Sequence, residues 1–156
     1  MRQRLDNQAL APKGMRALGG VYLYVTSKTG LPHDLVNLVY LRVSQINGCV
    51  YCVDLHSRMA REAGENQQRL DCLVAWQECP FFSQAERAAF AWAESLTHIS
   101  TTHAPDELYQ ALRQHYSEQQ VVDLTMVVAL MNSWNRIAIG MRRLPERQEI
   151  VPGTGL

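Results

Sequence analysis

Cys49 and Cys52 form a Cys-x-x-Cys pair, and His56 follows one helical turn later, within Asn47-Gly48-Cys49-Val50-Tyr51-Cys52-Val53-Asp54-Leu55-His56. Two thiols at this spacing can store two electrons as a disulfide, and an imidazole can take a thiol proton. On a helix turning about 100° per residue, Cys49 at 0° puts Cys52 at about 300° and His56 at about 340°, so all three share one narrow stripe. Val53, Met59, Ala60 and Ala63 lie on that stripe, while Asp54, Ser57, Arg58, Arg61 and Glu62 lie opposite. The sulfur-bearing face is therefore expected to pack inward.

A thiolate is the attacking species, and an unperturbed cysteine near pKa 8.5 is only about 3% ionised at pH 7. Bringing the pKa to about 7 takes roughly 2 kcal/mol, of which a helix N-terminus supplies about 0.3–1. His56 is expected to supply the rest by taking the proton of Cys52 directly or through a water. In the chemistry this allows, Cys52 attacks a peroxide oxygen and becomes a sulfenic acid. Cys49 resolves it to a disulfide, and an external dithiol restores the pair.

The order of the two sulfurs stays open. In thioredoxin-type pairs the cysteine nearer the helix start has the lower pKa, and only the position of His56 points to Cys52. Zinc ligation is a second reading, although three ligands on one straight helix span about 10.5 Å of its axis and bonds of about 2.0–2.3 Å gather them poorly. A third is structural: small buried cysteines beside a core histidine bonded to backbone.

The elements that must hold this stripe read as helices. Pro12 opens a first helix reaching Lys28, Pro32 opens a second to about Ile46, and Asn47-Gly48 breaks the chain before a third from near Cys49 to Gly64. A fourth is expected over about Gln67 to Glu78, closed by Pro80. Ser83 and Glu86 form a capping box ahead of a fifth helix over Arg87–Thr97. Pro105, Asp106 and Glu107 fit the first turn of a sixth. Ser117 and Gln120 box the longest, about Glu118 to Met141. Val21–Val25 is β-rich, but Leu18, Val21, Tyr22 and Val25 also fit a helical stripe. The expected fold is all-α, with about six to seven helices.

At 156 residues and 17.7 kDa, the chain suits a single domain over residues 1–156, with a core at about 10–144 and a C-terminal tail at 145–156. Hydrophobic residues make up 47% and charged residues 19%, which excludes disorder, and 15 basic residues against 15 acidic leave no field to attract nucleic acid or an anionic membrane. The richest apolar run, Val121 to Met131, is broken by Asp123 and Thr125, so no membrane span is expected. Arg2, Arg4 and Lys13 have no apolar segment behind them, and four cysteines are too few for a disulfide scaffold; both point to the cytoplasm.

Leu41 to Ser57, Leu-Arg-Val-Ser-Gln-Ile-Asn-Gly-Cys-Val-Tyr-Cys-Val-Asp-Leu-His-Ser, resembles the signature of the alkylhydroperoxidase D-like (AhpD-like) branch of the carboxymuconolactone decarboxylase superfamily. The similarity extends through Pro12 to Gly30, the Trp76 region, the Ser83 helix and Trp134-Asn135-Arg136. It implies an AhpD-like helical fold and a homo-oligomer, commonly a trimer or hexamer. It also implies an antioxidant thiol peroxidase with no bound metal or organic cofactor. Alkyl hydroperoxides or hydrogen peroxide would be reduced, and a lipoyl group or thioredoxin-like protein would recharge the pair. Carried onto this chain, it makes Cys52 the peroxidatic sulfur, Cys49 the resolving one and His56 the proton relay.

The chain departs from that pattern at two places. Peroxidase members carry a glutamate twelve residues before the first cysteine and can carry a histidine before the second, where this chain has Asn37 and Tyr51. Asn37 cannot take a proton, and Tyr51, near pKa 10, is a poor base at pH 7. Two further functions are therefore carried forward. One is a redox-responsive oligomer whose Cys49–Cys52 disulfide forms with little turnover, and the other is a lactone decarboxylase-like enzyme, for which paired thiols have no use.

Arg42 falls at about 340° on a wheel with Leu35 at 0°, among apolar neighbours, and needs a partner. It either supports the thiolate or, the preferred reading, pairs across helices or subunits. Thr125, Asn132, Asn135 and Arg136 form a polar stripe expected at a subunit interface. His33, His98, His103 and His115 read as caps or exposed residues, Cys72 as core and Cys79 as a loop thiol.

Overall fold

Proline, glycine and short polar caps divide the chain, and the computed structural model, which describes residues 2–147, follows that punctuation closely. The helices are α1 (Asn7–Leu10), α2 (Pro12–Ser27), α3 (His33–Asn47), α4 (Val50–Glu62), α5 (Gln67–Cys72), α6 (Gln84–Thr97), α7 (Ile99–Thr102), α8 (Asp106–Arg113) and α9 (Glu118–Met141). A single 3₁₀ turn covers Leu73–Ala75. No strand occurs among the described residues. The tail expected at 145–156 falls largely on 148–156, outside the described residues. No helix of the described residues is long and apolar enough to cross a membrane.

Two of these helices, α1 and α7, were not expected, and each is only four residues long. Neither length shows a hydrophobic period. Asp6 makes α1 by accepting the amides of Gln8 and Ala9, and Thr102 of α7 donates to the Ser95 carbonyl. The fourth helix ends earlier than expected, at Cys72. Beyond it the carbonyls of Trp76, Gln77 and Cys79 turn to the Arg87 guanidinium instead of to amides four residues on.

Helix α3 is the hub. Leu35, Val36, Leu38, Val39, Tyr40, Leu41 and Val43 are all buried, which covers more than one stripe and marks a helix enclosed by neighbours. It packs on α4, α6 and α9, and α9 also covers α2 and α6. Phe90, Ala89 and Ala93 from α6 and Leu124, Val127 and Val128 from α9 complete the core. Each large side chain enclosed there contributes about 1.5–3 kcal/mol relative to exposure. Asp123, buried in α9, is satisfied by the Tyr24 hydroxyl at 2.8 Å and the Gln119 amide at 3.1 Å.

The corner between α3 and α4 sets up the site. Gly48 adopts φ 68°, a left-handed conformation that costs a residue with a side chain about 1–2 kcal/mol. Its amide donates to Gln45 and that of Cys49 to Ser44, closing α3 and delivering Cys49 directly to the N-cap of α4. Asn47 anchors the corner by donating to Asn132 Oδ1 at 3.0 Å and Asn135 Oδ1 at 2.9 Å, both on α9.

Candidate active site

Cys49 is the N-cap residue of α4, with an extended backbone and no capping bond from its side chain, so the first-turn amides of α4 have no side-chain oxygen as acceptor. Cys52 sits on that first turn, and His56 one turn further on. The sulfurs of Cys49 and Cys52 are in disulfide contact, with Cα atoms 5.3 Å apart, inside the range such bonds require. Cys49 is 1% exposed, Cys52 4% and His56 3%, so the sulfur-bearing stripe faces inward as its pattern predicts.

A cavity of about 230 Å³ opens beside this stripe. Cys52, Tyr51, Leu55, His56 and Met59 of α4 form one wall, Tyr22 of α2 another, and Met131, Trp134 and Ile137 of α9 the third. Cys52 reaches the cavity wall and Cys49 does not. A molecule entering the cavity meets Cys52, with Cys49 bonded behind it.

His56 lies against Tyr40, with ring centroids 5.0 Å apart and planes at 46°. Its Nδ1 is buried without a protein partner, and so is the Tyr40 hydroxyl. Burial pushes the His56 pKa down to about 4, so with the disulfide formed the ring is neutral at pH 7. Burial also raises the phenol of Tyr40 far above its ordinary range, which keeps that hydroxyl protonated. The site thus has a neutral imidazole, and among the described residues no carboxylate lines its wall.

Of the other residues singled out from the sequence, Tyr51 is in the site and two are not. Its ring lines the cavity and carries the Arg143 guanidinium 4.0 Å from its centroid. Asn37 is buried on α3 outside this cavity, with its amide nitrogen 3.3 Å from His33 Nδ1, beside a separate polar hollow lined by Asp34, Glu65, Arg69 and Glu86. Arg42 pairs with Glu94 of α6 at 2.7 Å, and the same carboxylate oxygen accepts the Trp76 indole. That pairing accounts for its place among apolar neighbours and leaves it no part at the thiols.

The polar stripe of α9, expected at a subunit interface, is hydrogen-bonded within its own chain. Trp92 donates to Thr125, Asn132 donates to Thr97, and Asn135 donates to Ser44. Arg136 donates to Asn132 on its own helix. Cys72 packs against the core while only partly buried, and Cys79 lies in the loop before Pro80 as expected but is itself buried. Burial and the adjoining Cys79 thiol push the Cys72 thiol up, so it is a resting thiol. Among the described residues no group of three or more His, Cys, Asp or Glu side chains is gathered so that it could hold a metal ion.

The sequence does not point to Tyr40, Tyr22, Trp134 and Arg143 as site residues. They come from α2, α3, α9 and the turn just past α9, and only the packing of these elements around α4 assembles them. Tyr22 has a signal in the helical stripe of the β-rich segment, and Trp134 in the similarity of Trp134-Asn135-Arg136 to the family.

Comparison with known proteins agrees with this geometry. The family model described as the carboxymuconolactone decarboxylase family matches residues 12–95, more than half of the 156. The uncharacterized protein YdfG of Bacillus subtilis (strain 168) is 43% identical over 141 residues, spanning 90% of this chain and 95% of its own. A protein of unknown function from Agrobacterium tumefaciens, described as a candidate AhpD antioxidant defence protein, superposes with a TM-score of 0.90 at 35% identity, over 94% of this chain and all of that one. An uncharacterized peroxidase-related protein with an AhpD core from Ralstonia eutropha JMP134 gives 0.80 at 20% identity, over 90% of this chain and 74% of its own, which bears on the fold alone. A helical bundle that presents a Cys-x-x-Cys pair and a buried histidine in this way places the chain in the carboxymuconolactone decarboxylase family, within its AhpD-like branch.

Proposed function

We propose that the protein is a thiol peroxidase that reduces organic hydroperoxides or hydrogen peroxide through a Cys49–Cys52 dithiol cycle. The observation that carries this reading is that Cys52 and His56 open into one apolar cavity while Cys49 stands behind Cys52 in disulfide contact. In the reduced protein His56 takes the proton of Cys52. The resulting thiolate is the opposite charge that draws the imidazole pKa back up from its low value.

The Cys52 sulfur then attacks the distal oxygen of the hydroperoxide, the O–O bond breaks, and the alkoxide leaves as alcohol with the proton from His56. Cys49 attacks the sulfenic sulfur, the S–O bond breaks, and hydroxide departs as water with the thiol proton. An external dithiol, such as a lipoyl group or a small thioredoxin-like protein, reduces the disulfide by two exchanges and is itself oxidised. The cycle needs no metal or organic cofactor, and it suits a cytoplasmic homo-oligomer.

Stopped-flow consumption of cumene hydroperoxide by the reduced protein, with mass spectrometry of the adducts, tests the order of events. Cys49→Ser is expected to trap a sulfenic acid on Cys52, and Cys52→Ser to consume no peroxide. Native-rate consumption by Cys52→Ser would reverse the assignment. A redox-responsive oligomer with little turnover is the second reading, favoured by the position of Asn37 away from the cavity. Sluggish consumption with intact disulfide formation selects it.

A further inference from the structure

We propose that the ligand of this cavity is a compact apolar acid, with its hydrophobic body against the cavity walls and its carboxylate on Arg143. The proposal rests on the peroxidase reading for its chemistry and names the substrate class, an anionic organic hydroperoxide. Tyr22, Leu55, Met59, Met131, Trp134 and Ile137 offer an apolar and aromatic body site with few polar groups. Besides Asn7, whose amide nitrogen is turned to Met15 Sδ at 3.2 Å, two places along the wall are chemically different: Cys52 with His56, and the Arg143 guanidinium. A volume of about 230 Å³ is below the roughly 300–1,000 Å³ of typical drug-sized sites, which admits one ring or a short branched body and not a long acyl chain.

Arg143 is set in place by the end of α9. Arg142 takes a left-handed conformation with φ 55°, and the Arg143 amide donates back to Ala138 at 2.9 Å, which turns the chain over the cavity. The guanidinium stacks on Tyr51, the residue before Cys52, leaving its N–H edge available for a bidentate carboxylate. Among the described residues no carboxylate pairs with Arg143. Arg4 brings a second cation to the same helix end by donating to the Gly140 carbonyl at 3.0 Å. Asp6 of that N-terminal segment is already occupied by the amides of Gln8 and Ala9. Hydrogen peroxide would use neither the walls nor this cation, whereas an acid bearing a hydroperoxide at its far end uses both.

Binding can be tested without turnover. Isothermal titration of the oxidised protein with 4-isopropylbenzoate and with the neutral 4-isopropylbenzyl alcohol is expected to favour the acid by about tenfold, the scale of one charge-assisted contact. Arg143→Gln, a change at an exposed position, is expected to remove that preference by weakening the acid alone. Equal affinity for acid and alcohol, weakening of both ligands alike in Arg143→Gln, or no binding of either would overturn the proposal. The chemistry is read separately, by comparing cumene hydroperoxide with its para-carboxylate derivative in the reduced protein. A lower KM for the carboxylate supports the substrate class. Equal KM values overturn it while the peroxidase reading stands. If neither hydroperoxide is consumed but Arg143-dependent acid binding persists, the peroxidase reading fails and the acid site remains.

Discussion

His56 enters the core uncharged, and that has a thermodynamic signature. Its folded pKa of about 4 lies below the unfolded value of about 6.5, so the unfolded chain takes up the proton first as pH falls. The stability of the oxidised protein is therefore complete above about pH 6.5 and declines towards pH 4, by up to about 3 kcal/mol from this group. Urea unfolding of wild type and His56→Phe across that window measures it; the variant should show a shallower acid slope. Tyr40→Phe removes a hydroxyl that is buried without a protein partner, so its stability should not fall below wild type. A loss of more than about 1 kcal/mol would show that the hydroxyl is bonded after all. At this scale Cys49, Cys52 and His56 can be found from spacing because they share a single helical stripe, whereas Tyr51 is marked only by the family resemblance. Asn37 and Arg42 were singled out by position along the chain or on a wheel, and neither criterion says which of several neighbouring helices a side chain meets.

The helix boundaries rest on a few caps with separable energies. Ser83 accepts the Glu86 amide while Glu86 accepts that of Ser83, and Ser117 and Gln120 repeat the arrangement at α9. Ser117→Ala should cost about 1 kcal/mol by loss of the cap. Gly48→Ala should cost about 1–2 kcal/mol through backbone strain alone, since no atom lies within 4 Å of the added methyl. Chemical denaturation resolves both, and a neutral Gly48→Ala would mean that the corner relaxes. Capping boxes, prolines and the Asn-Gly break are local signals, which is why seven helices could be anticipated near their observed places. Gly64 at φ 91° lets the Glu65 amide return to Ala60 and ends α4 at Glu62, next to the glycine expected to stop it. The end of α5 is less legible because a tertiary partner decides it: Arg87 claims the carbonyls beyond.

Across the whole molecule, α3 is the support on which the reactive helix is mounted. Leu38 is fully enclosed there, and Leu38→Ala should cost about 2–5 kcal/mol, measured as a shift of the urea midpoint at constant slope. Composition implies enough apolar surface for a core, but it carries no information on which helix becomes the hub. A polar stripe on α9 looks the same in sequence whether it faces a second subunit or its own neighbours. What the sequence does not show is that Ser44, Asn47 and Thr97 supply partners to it from α3 and α6.

Enclosing one sulfur behind the other also divides the pair's exposure to chemical injury. Soft electrophiles that diffuse into the recess reach residue 52 directly, whereas residue 49 is shielded until the bundle opens. Brief N-ethylmaleimide treatment of the reduced protein should therefore label peptides unequally, and denaturant should erase the difference. The motif would lose its cavity-facing sulfur to such damage while its companion survived intact.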